Sequence, residues 1–536
     1  NGKIDRKSLP LPTEREQREE QYIEPATEME KKLAELWQEV LGIDRVGALD
    51  NFFHLGGHSL KAIALTSKIL KTLKIRITLD VWFNHPTIRS MAEKMEAMKG
   101  DVMPLLEKAN PKESYIASSA QKRMYMLDKL FPNSTAYHVP LIYILKGNVD
   151  IERLQAALFK LTNRHGSLRT GFRMNESDES IKQYLLPSTT IKINSYTLSE
   201  HELKPFIRKF IRPFKLDKPP LLRAALIKDR DNHQHFLVMD IHHMITDGIS
   251  MDVLARDLLD LYENRKMDSI PLEYTDYSEW QHNSMQTSEM KKQEAYWLDI
   301  FRNPLQDLKL PYDQPGALIT DGPADTIQLD IEAALVRKLK LTAAESGMTL
   351  FMLLFAVFNV LLGKLSGQDD IVIGIPVSGR NDDRLEKVVG LFVNTLAIRS
   401  FPKRNLSFAA FLQQVKQNLL NAYRNQDYPL DKLIEQIPVK RKDAHSPLFM
   451  VLFQLAETEN EEIRGTELAF EPYPFEDVTS KFDLYLHAAH DGEKVSLQFI
   501  YSSARFNRNT VQSAAEDYAK ILQNITRDSG TQLKEM

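Results

Sequence analysis
The sequence predicts a small four-helix bundle followed by a large α/β body of two lobes. Three observations lead there. Four segments with helical spacing of apolar residues crowd into about 75 residues near the start, enough for a small bundle. After them, about 420 residues mix strand-like and helix-like runs with no short-period repeat. Within that stretch Pro304, Pro311 and Pro315 cluster, which places a lobe boundary near residues 285–315.

The elements follow in order. Residues 13–24, rich in Glu, Arg and Gln after Leu9-Pro10-Leu11-Pro12, read as a linker. The bundle occupies 25–97. Thr27 and Glu30 fit a capping box, Met29, Leu33, Leu36, Trp37, Val40 and Leu41 recur at helical spacing, and Gly42 is a stop. Asp50-Asn51-Phe52-Phe53 leads into a Gly56-Gly57 turn, and Ser59 opens a second helix through Leu60, Ile63, Leu65 and Ile69. A short helix starts over Thr78–Val81, and Pro86, in a first turn, opens the last one through Ile88, Met91 and Met95. Residues 98–113, with Gly100, Pro104 and Pro111, are a second linker. The body then runs over 114–536, its first lobe to about residue 290 and its second from about 291. Strands are expected at Leu141–Leu145, Leu222–Ile227, His235–Ile241, Ile371–Ile375, Leu391–Ile398, Met450–Leu455 and Val495–Tyr501. Helices are expected at Asp150–Arg164, Met251–Lys266, Glu332–Ser346, Leu350–Leu365 and Phe408–Asn425.

Composition narrows the function classes. The 536 residues include no cysteine, so there is neither a disulfide framework nor a thiolate metal site. A net charge of −4 gives no general case for nucleic-acid or anionic-membrane binding. The apolar run Leu350–Leu362 is shorter than the ~18–20 residues a spanning helix needs, and a buried helix is expected there. The first residues have no apolar core of a secretory signal, so the expected location is the cytoplasm. Lacking a starting Met, the chain reads as a monomeric piece of a longer polypeptide.

Two segments carry chemistry. Ser59 follows two glycines at a helix start, where N–H groups and the positive end of the helix dipole favour a phosphate ester. Its plain alternative is an N-cap serine. The second segment is His242-His243-Met244-Ile245-Thr246-Asp247-Gly248, at the end of a buried strand entering a loop. Adjacent side chains on a strand point to opposite faces, which disfavours a metal held by both histidines. One imidazole can instead project into a cleft as a general base, the other packing structurally. Asp247, before the flexible Gly248, is better suited to hold the loop through an Arg ion pair, since an unpaired buried carboxylate is costly.

The stretch Asp50-Asn51-Phe52-Phe53-His54-Leu55-Gly56-Gly57-His58-Ser59-Leu60 resembles the modification site of peptidyl carrier domains of nonribosomal peptide synthetases. The resemblance implies 4'-phosphopantetheine on Ser59, placed there by a separate phosphopantetheinyl transferase. Asn1 to Lys7 looks like the closing motif of an adenylation domain, so residues 1–12 are read as its remnant, with Lys3 matching the catalytic lysine.

The His242–Gly248 segment resembles the His-His-x-x-x-Asp-Gly motif shared by condensation domains and chloramphenicol acetyltransferase. That family implies His243 at the reaction centre and His242 and Asp247 as structural residues. It also implies two acetyltransferase-like lobes in a V shape with a tunnel between them. Further stretches resemble condensation motifs: Ser118–Tyr125, Arg164–Phe172 (with Gly166 for the usual Glu), Tyr274–Trp280, Val389–Arg399, Asn425–Leu430 and, more loosely, Arg441–Leu448. The Gly166 departure is expected to affect local ion pairing. Arg169 and Arg399 otherwise read as ordinary ion-pair arginines, and either could partner Asp247. Trp280 reads as packing, and Asn394 as a residue fixing loop backbone through its amide.

The resemblance implies amide formation between a donor thioester and an aminoacyl amine on a downstream carrier, with an L-configured donor. The implied partners are an upstream adenylation domain, downstream adenylation and carrier domains, and aminoacyl or peptidyl thioesters. Epimerisation is the competing enzyme reading, and a non-catalytic docking module the competing reading of another class.

Overall fold
The computed structural model describes residues 22–97, apart from 58, 74, 76 and 78, and residues 106–536, apart from 315–323, 438–447, 458–461 and 476–480. The adenylation remnant with Lys3, His58, the first half of the second linker (98–105) and nearly all of Arg441–Leu448 lie outside the described residues. The chain forms two compact units, which divide at residues 102–103.

The first unit is helical. Its helices are Glu28–Leu41, Ser59–Leu73, Leu79–Asn84 and Ile88–Ala97. The Thr27 side chain accepts from Glu30 N–H while the Glu30 carboxylate accepts from Thr27 N–H, and Gly42 ends that helix at φ 72°. The last helix begins beyond Pro86, whose carbonyl instead accepts from Phe52 N–H at 2.8 Å; Thr87 Oγ1 takes the early N–H of Ser90. Trp37, Phe52 and Trp82 are fully buried and meet at ring-centroid distances of 4.7–5.7 Å, forming the centre of this core.

Among the described residues, the second unit is built on two six-stranded sheets and a small three-stranded one. The first sheet runs, edge to edge, Ile463–Arg464, Leu468–Pro472, His138–Gly147, His235–His242, Leu222–Asp229 and Ile193–Leu198. Both its faces are covered, which explains the continuous apolar run of the central strand. Leu237, Met239 and Ile241 join the core that includes Leu154, Leu158, Leu254 and Leu258 of the helices Ile151–Arg164 and Gly248–Tyr262. Phe236 and Val238 point the other way, onto the Glu200–Phe210 helix through Leu203 and Ile207.

The second sheet runs Asn394–Ser400, Ile371–Val377, Val451–Glu457, Leu484–His490, Val495–Ser502 and Ala324–Ile331. The Leu350–Ser366 helix is buried from Met352 to Leu362; Phe355 and Phe358 meet Phe453 of this sheet, and Tyr518 of the Arg508–Ile525 helix donates to Leu354 O. Among the described residues no single helix is long and apolar enough to cross a membrane.

Two of the boundaries that differ from expectation do so for local reasons. The helix expected from Met251 starts at Gly248, because Asp247 caps it by accepting from Ser250 N–H, and it ends at Tyr262. The strand expected from Leu391 starts at Asn394, because Leu391 and Phe392 belong to a loop whose backbone groups bond to the first lobe. The strands Ile463–Arg464 and Leu468–Pro472, late in the chain, complete the first sheet, so no single cut in sequence separates the two sheets.

Candidate active site
His242 ends its strand and His243 begins a short 3-10 turn, His243–Ile245. His242 lies on the strand face that carries Phe236, Val238 and Asp240. It is buried, and its Nδ1 accepts from Met244 N–H at 3.1 Å. Behind it, His138 Nδ1 is 2.8 Å from Asp240 Oδ1, and Arg223 pairs with the other carboxylate oxygen at 3.4 Å. Burial holds the His242 imidazole well below its usual pKa, with the nearby His138, His243 and Lys481 acting the same way.

His243 is held differently. Its N–H donates to Tyr137 O at 2.8 Å, and its Nδ1 lies 2.7 Å from Thr246 O. A carbonyl only accepts, so Nδ1 carries the proton and the neutral ring presents Nε2 as a base. Burial and then Lys481 lower the His243 pKa; the bond to Thr246 and the charge of Asp247 oppose this. The turn itself is fixed from the first motif, where Gln121 donates to Met244 O at 3.3 Å.

Asp247 faces away from this chemistry. Its Oδ1 accepts from Ser250 N–H (2.8 Å), Ser250 Oγ–H (2.7 Å) and Arg380 Nη2 (3.0 Å), and its Oδ2 accepts from Phe392 N–H (3.0 Å). The partner of Asp247 is therefore Arg380, not Arg169 or Arg399, the two arginines expected from sequence. Both are engaged elsewhere: Arg169 donates to Leu186 O, and Arg399 makes a two-pronged pair with Asp370 at 2.9 and 2.7 Å. Arg380 also donates to the carbonyls of Leu385 and Val388 and lies over the Phe392 ring. Its position at the end of the Ile371–Val377 strand, after Gly379 with φ 66°, was the available sequence signal.

The motif stretches meet around this ion pair. Ser167 donates to Val389 O, Gly390 N–H donates to Ser250 Oγ at 3.0 Å, and Tyr274 donates to Leu391 O. Gly390 packs so tightly that a Cβ there would lie 2.0 Å from the Tyr274 ring. Asn394 donates to the carbonyls of Gln426 and Tyr428 and accepts from the N–H groups of Thr395 and Leu430, bracing the loop backbone. Trp280 packs beside Tyr277 at the edge of the cluster that holds Phe392. Gly248 is exposed, at the start of its helix.

Gly166 reveals a residue that sequence reasoning passed over. Its N–H donates to Glu273 Oε2 at 3.1 Å, and a Cβ at Gly166 would meet that oxygen at 2.6 Å and Leu185 at 3.0 Å. A carboxylate from another element thus stands against Gly166, and burial raises its pKa while Gly166 N–H and Arg169 oppose the rise. Gly166→Ala is expected to lose about 1–3 kcal/mol of stability by overpacking. The added change Glu273→Ala should restore part of the loss in denaturant unfolding.

In the helical unit, Ser59 opens the Ser59–Leu73 helix. The preceding turn is fixed: Gly57 N–H donates to Phe52 O at 2.9 Å, and a Cβ at Gly57 would lie 2.4 Å from the Phe52 ring. Gly56 takes φ 86°. The helix start is thus pinned to the aromatic core, and its N–H groups suit a phosphate ester.

Fold and site together define an acyltransferase of two chloramphenicol-acetyltransferase-like lobes preceded by a helical carrier unit. Residues 112–536 match the family described as Condensation domain, and residues 31–95 match the Phosphopantetheine attachment site. The chain belongs to the condensation-domain family, and is a carrier–condensation pair of the nonribosomal peptide synthetase kind, whose condensation domains form amide bonds. Bacitracin synthase 3 of Bacillus licheniformis is 39% identical over 100% of this chain, and tyrocidine synthase 3 of Brevibacillus parabrevis is 36% identical over 100%. The chain spans only 8% of the length of each. The crystal structure of the X-domain from teicoplanin biosynthesis shares the fold, with a TM-score of 0.74 at 21% identity over 81% of this chain and 99% of that one.

Proposed function
We propose that this chain transfers an acyl or peptidyl group from a carrier to the α-amine of an aminoacyl group on a downstream carrier. Ser59 is the proposed attachment point of 4'-phosphopantetheine, whose thiol supplies the activated thioester. A phosphopantetheinyl transferase, an upstream adenylation domain and downstream adenylation and carrier domains are the proposed partners.

One observation carries the reading. His243 holds its Nδ1 proton on Thr246 O and keeps Nε2 as a base, while Asp247 is committed to Arg380, Ser250 and Phe392. In the proposed step the amine nitrogen forms the new N–C bond, its proton passes to His243 Nε2, the C–S bond breaks, and the proton ends on the departing sulfur. The rest of the acceleration comes from holding both reactants in place. Support for an L-configured donor comes from the carrier match running directly into the condensation match, with 16 residues between 95 and 112.

The test is a transfer assay. The chain is loaded at Ser59 with an L- or a D-aminoacyl group and mixed with a loaded downstream carrier, and products are read by mass spectrometry with stereochemical analysis. An L-derived dipeptide on the acceptor is the expected result, and Ser59→Ala should give none. An epimerised monomer and no dipeptide would overturn the reading.

A further inference from the structure
The strand that delivers the two histidines is clamped from both sides just before it ends. His235–His242 lies between the strands His138–Gly147 and Leu222–Asp229, and Asp240 stands two residues before its end. The Asp240 carboxylate is fully buried. His138 Nδ1 meets its Oδ1 at 2.8 Å, and Arg223, directly opposite Asp240 on the other neighbouring strand, pairs with its Oδ2 at 3.4 Å. A carboxylate only accepts, so Nδ1 of His138 carries the proton. Both partners are seated on one ring: His138 stacks on Phe214 with centroids 5.0 Å apart, and the Arg223 guanidinium lies 3.7 Å from the same centroid. Arg223 is tied down further by the carbonyls of Phe210 and Arg212.

The backbone of His138 reaches the active site as well. It pairs in register with His242, and the residue before it, Tyr137, supplies the carbonyl that takes His243 N–H at 2.8 Å. That bond makes His138 and His242 a non-hydrogen-bonded pair, the kind whose side chains stand closer, and their ring centroids are 5.7 Å apart. His138 thus has its side chain fixed to a buried charge and its backbone fixed beside the residue that holds His243.

We propose that His138 is a positioning residue for amide formation: anchored on Asp240, it sets the Tyr137 carbonyl that fixes the start of the His243–Ile245 turn, and so aims Nε2 of His243. This rests on the transfer reaction proposed above. The bonds from His243 Nδ1 to Thr246 O and from Gln121 to Met244 O act further along the turn, so the place where His243 enters it is set from the His138 side. An apolar side chain at 138 would leave the buried carboxylate to Arg223 alone, and an under-satisfied buried charge is costly. The carboxylate then shifts toward Arg223 or draws in water, and either response loosens the strand end where the histidines sit.

The test uses the full chain and its His138→Leu and His138→Asn variants. Asn keeps an N–H donor as many bonds from the backbone as Nδ1, whereas Leu offers Asp240 none. Well below the unfolding temperature, kcat for dipeptide formation is expected to fall about 10-fold or more in His138→Leu, with KM for the acceptor little changed. His138→Asn should restore most of the rate. NMR of the His243 ring, which needs no turnover, should show its Nδ1–H exchanging about 10-fold faster in His138→Leu and near the parent rate in His138→Asn. A packing role alone would lower the unfolding midpoint without moving that proton. Should Leu prevent folding, His138→Gln, whose amide stands one bond too far out, takes its place. If the parent makes no dipeptide, the transfer reading fails, and the ring proton alone decides the role of His138. A folded His138→Leu chain with the parent's exchange rate, or a His138→Asn chain no better than His138→Leu, would overturn the proposal.

Discussion

Asp247→Ala should lower the unfolding free energy of the condensation unit by about 3–5 kcal/mol, the usual cost of stripping one partner from a buried ion pair. Both side chains of the Asp247–Arg380 pair are only 4% exposed. Alanine leaves the guanidinium buried with no counter-charge, only two carbonyls, the Ser250 hydroxyl and the Phe392 face, and its Nε already lacks a hydrogen-bond partner. It also strands Ser250 N–H and Phe392 N–H, which have no water to turn to. Denaturant unfolding of the single variants and of Asp247→Ala with Arg380→Met checks this. The double variant should be more stable than the sum of the two single losses predicts. Additive losses would mean that the pair is not coupled. Loss of transfer in Asp247→Ala is then a consequence of the damaged joint.

His243→Ala should have the reverse profile. Its stability cost is small, on the order of 1 kcal/mol for the bond to Thr246 O. Single-turnover amide formation should fall by about 10²-fold or more, the range of a general base or of a well-placed acceptor for the amine proton. The pH dependence separates these chains further. Because the His243 pKa is lowered, its neutral form persists to pH values below the ordinary imidazole range, and parent activity should hold through neutrality and fall only below it. The residual rate of His243→Ala should lack that imidazole-dependent fall. An unchanged single-turnover rate in a folded His243→Ala protein would remove the histidine from the mechanism.

The sequence made the buried centre of each lobe easy to read and the joint between them hard. The Leu350–Ser366 helix and the His235–His242 strand stand out because burial on all sides leaves uninterrupted apolar runs. The edge strand Ile193–Leu198 was missed because four of its six residues face solvent and are Asn, Ser, Tyr and Thr, which look like a loop. The strand Leu484–His490 was missed because its alternation is blurred by two alanines and ends in histidine. The capping box at Thr27 was legible because it is local. The Asp247–Arg380 pair was not, since its members are 133 residues apart and only closure of the chain chooses among the available arginines. Glu273 was missed for a similar reason: it answers to Gly166 across 107 residues. Motif spacing located the histidines, but which ring nitrogen is free depends on the carbonyl of Thr246 in a 3-10 turn that no periodicity announces.

The strand Leu468–Pro472 has a practical bearing on how such synthetases can be recombined. It inserts Leu468 and Phe470 into the first lobe's interior, Phe470 lying 5.5 Å from the Tyr143 ring, and Glu467 grips Arg153 at 2.7 Å. A hybrid spliced midway through the body would dock one parent's hairpin onto another parent's strand. A splice that truncated the chain there would bare the His138–Gly147 edge, inviting aggregation. Transplanted segments should therefore carry residues 463–472 from the same donor as residues 138–153.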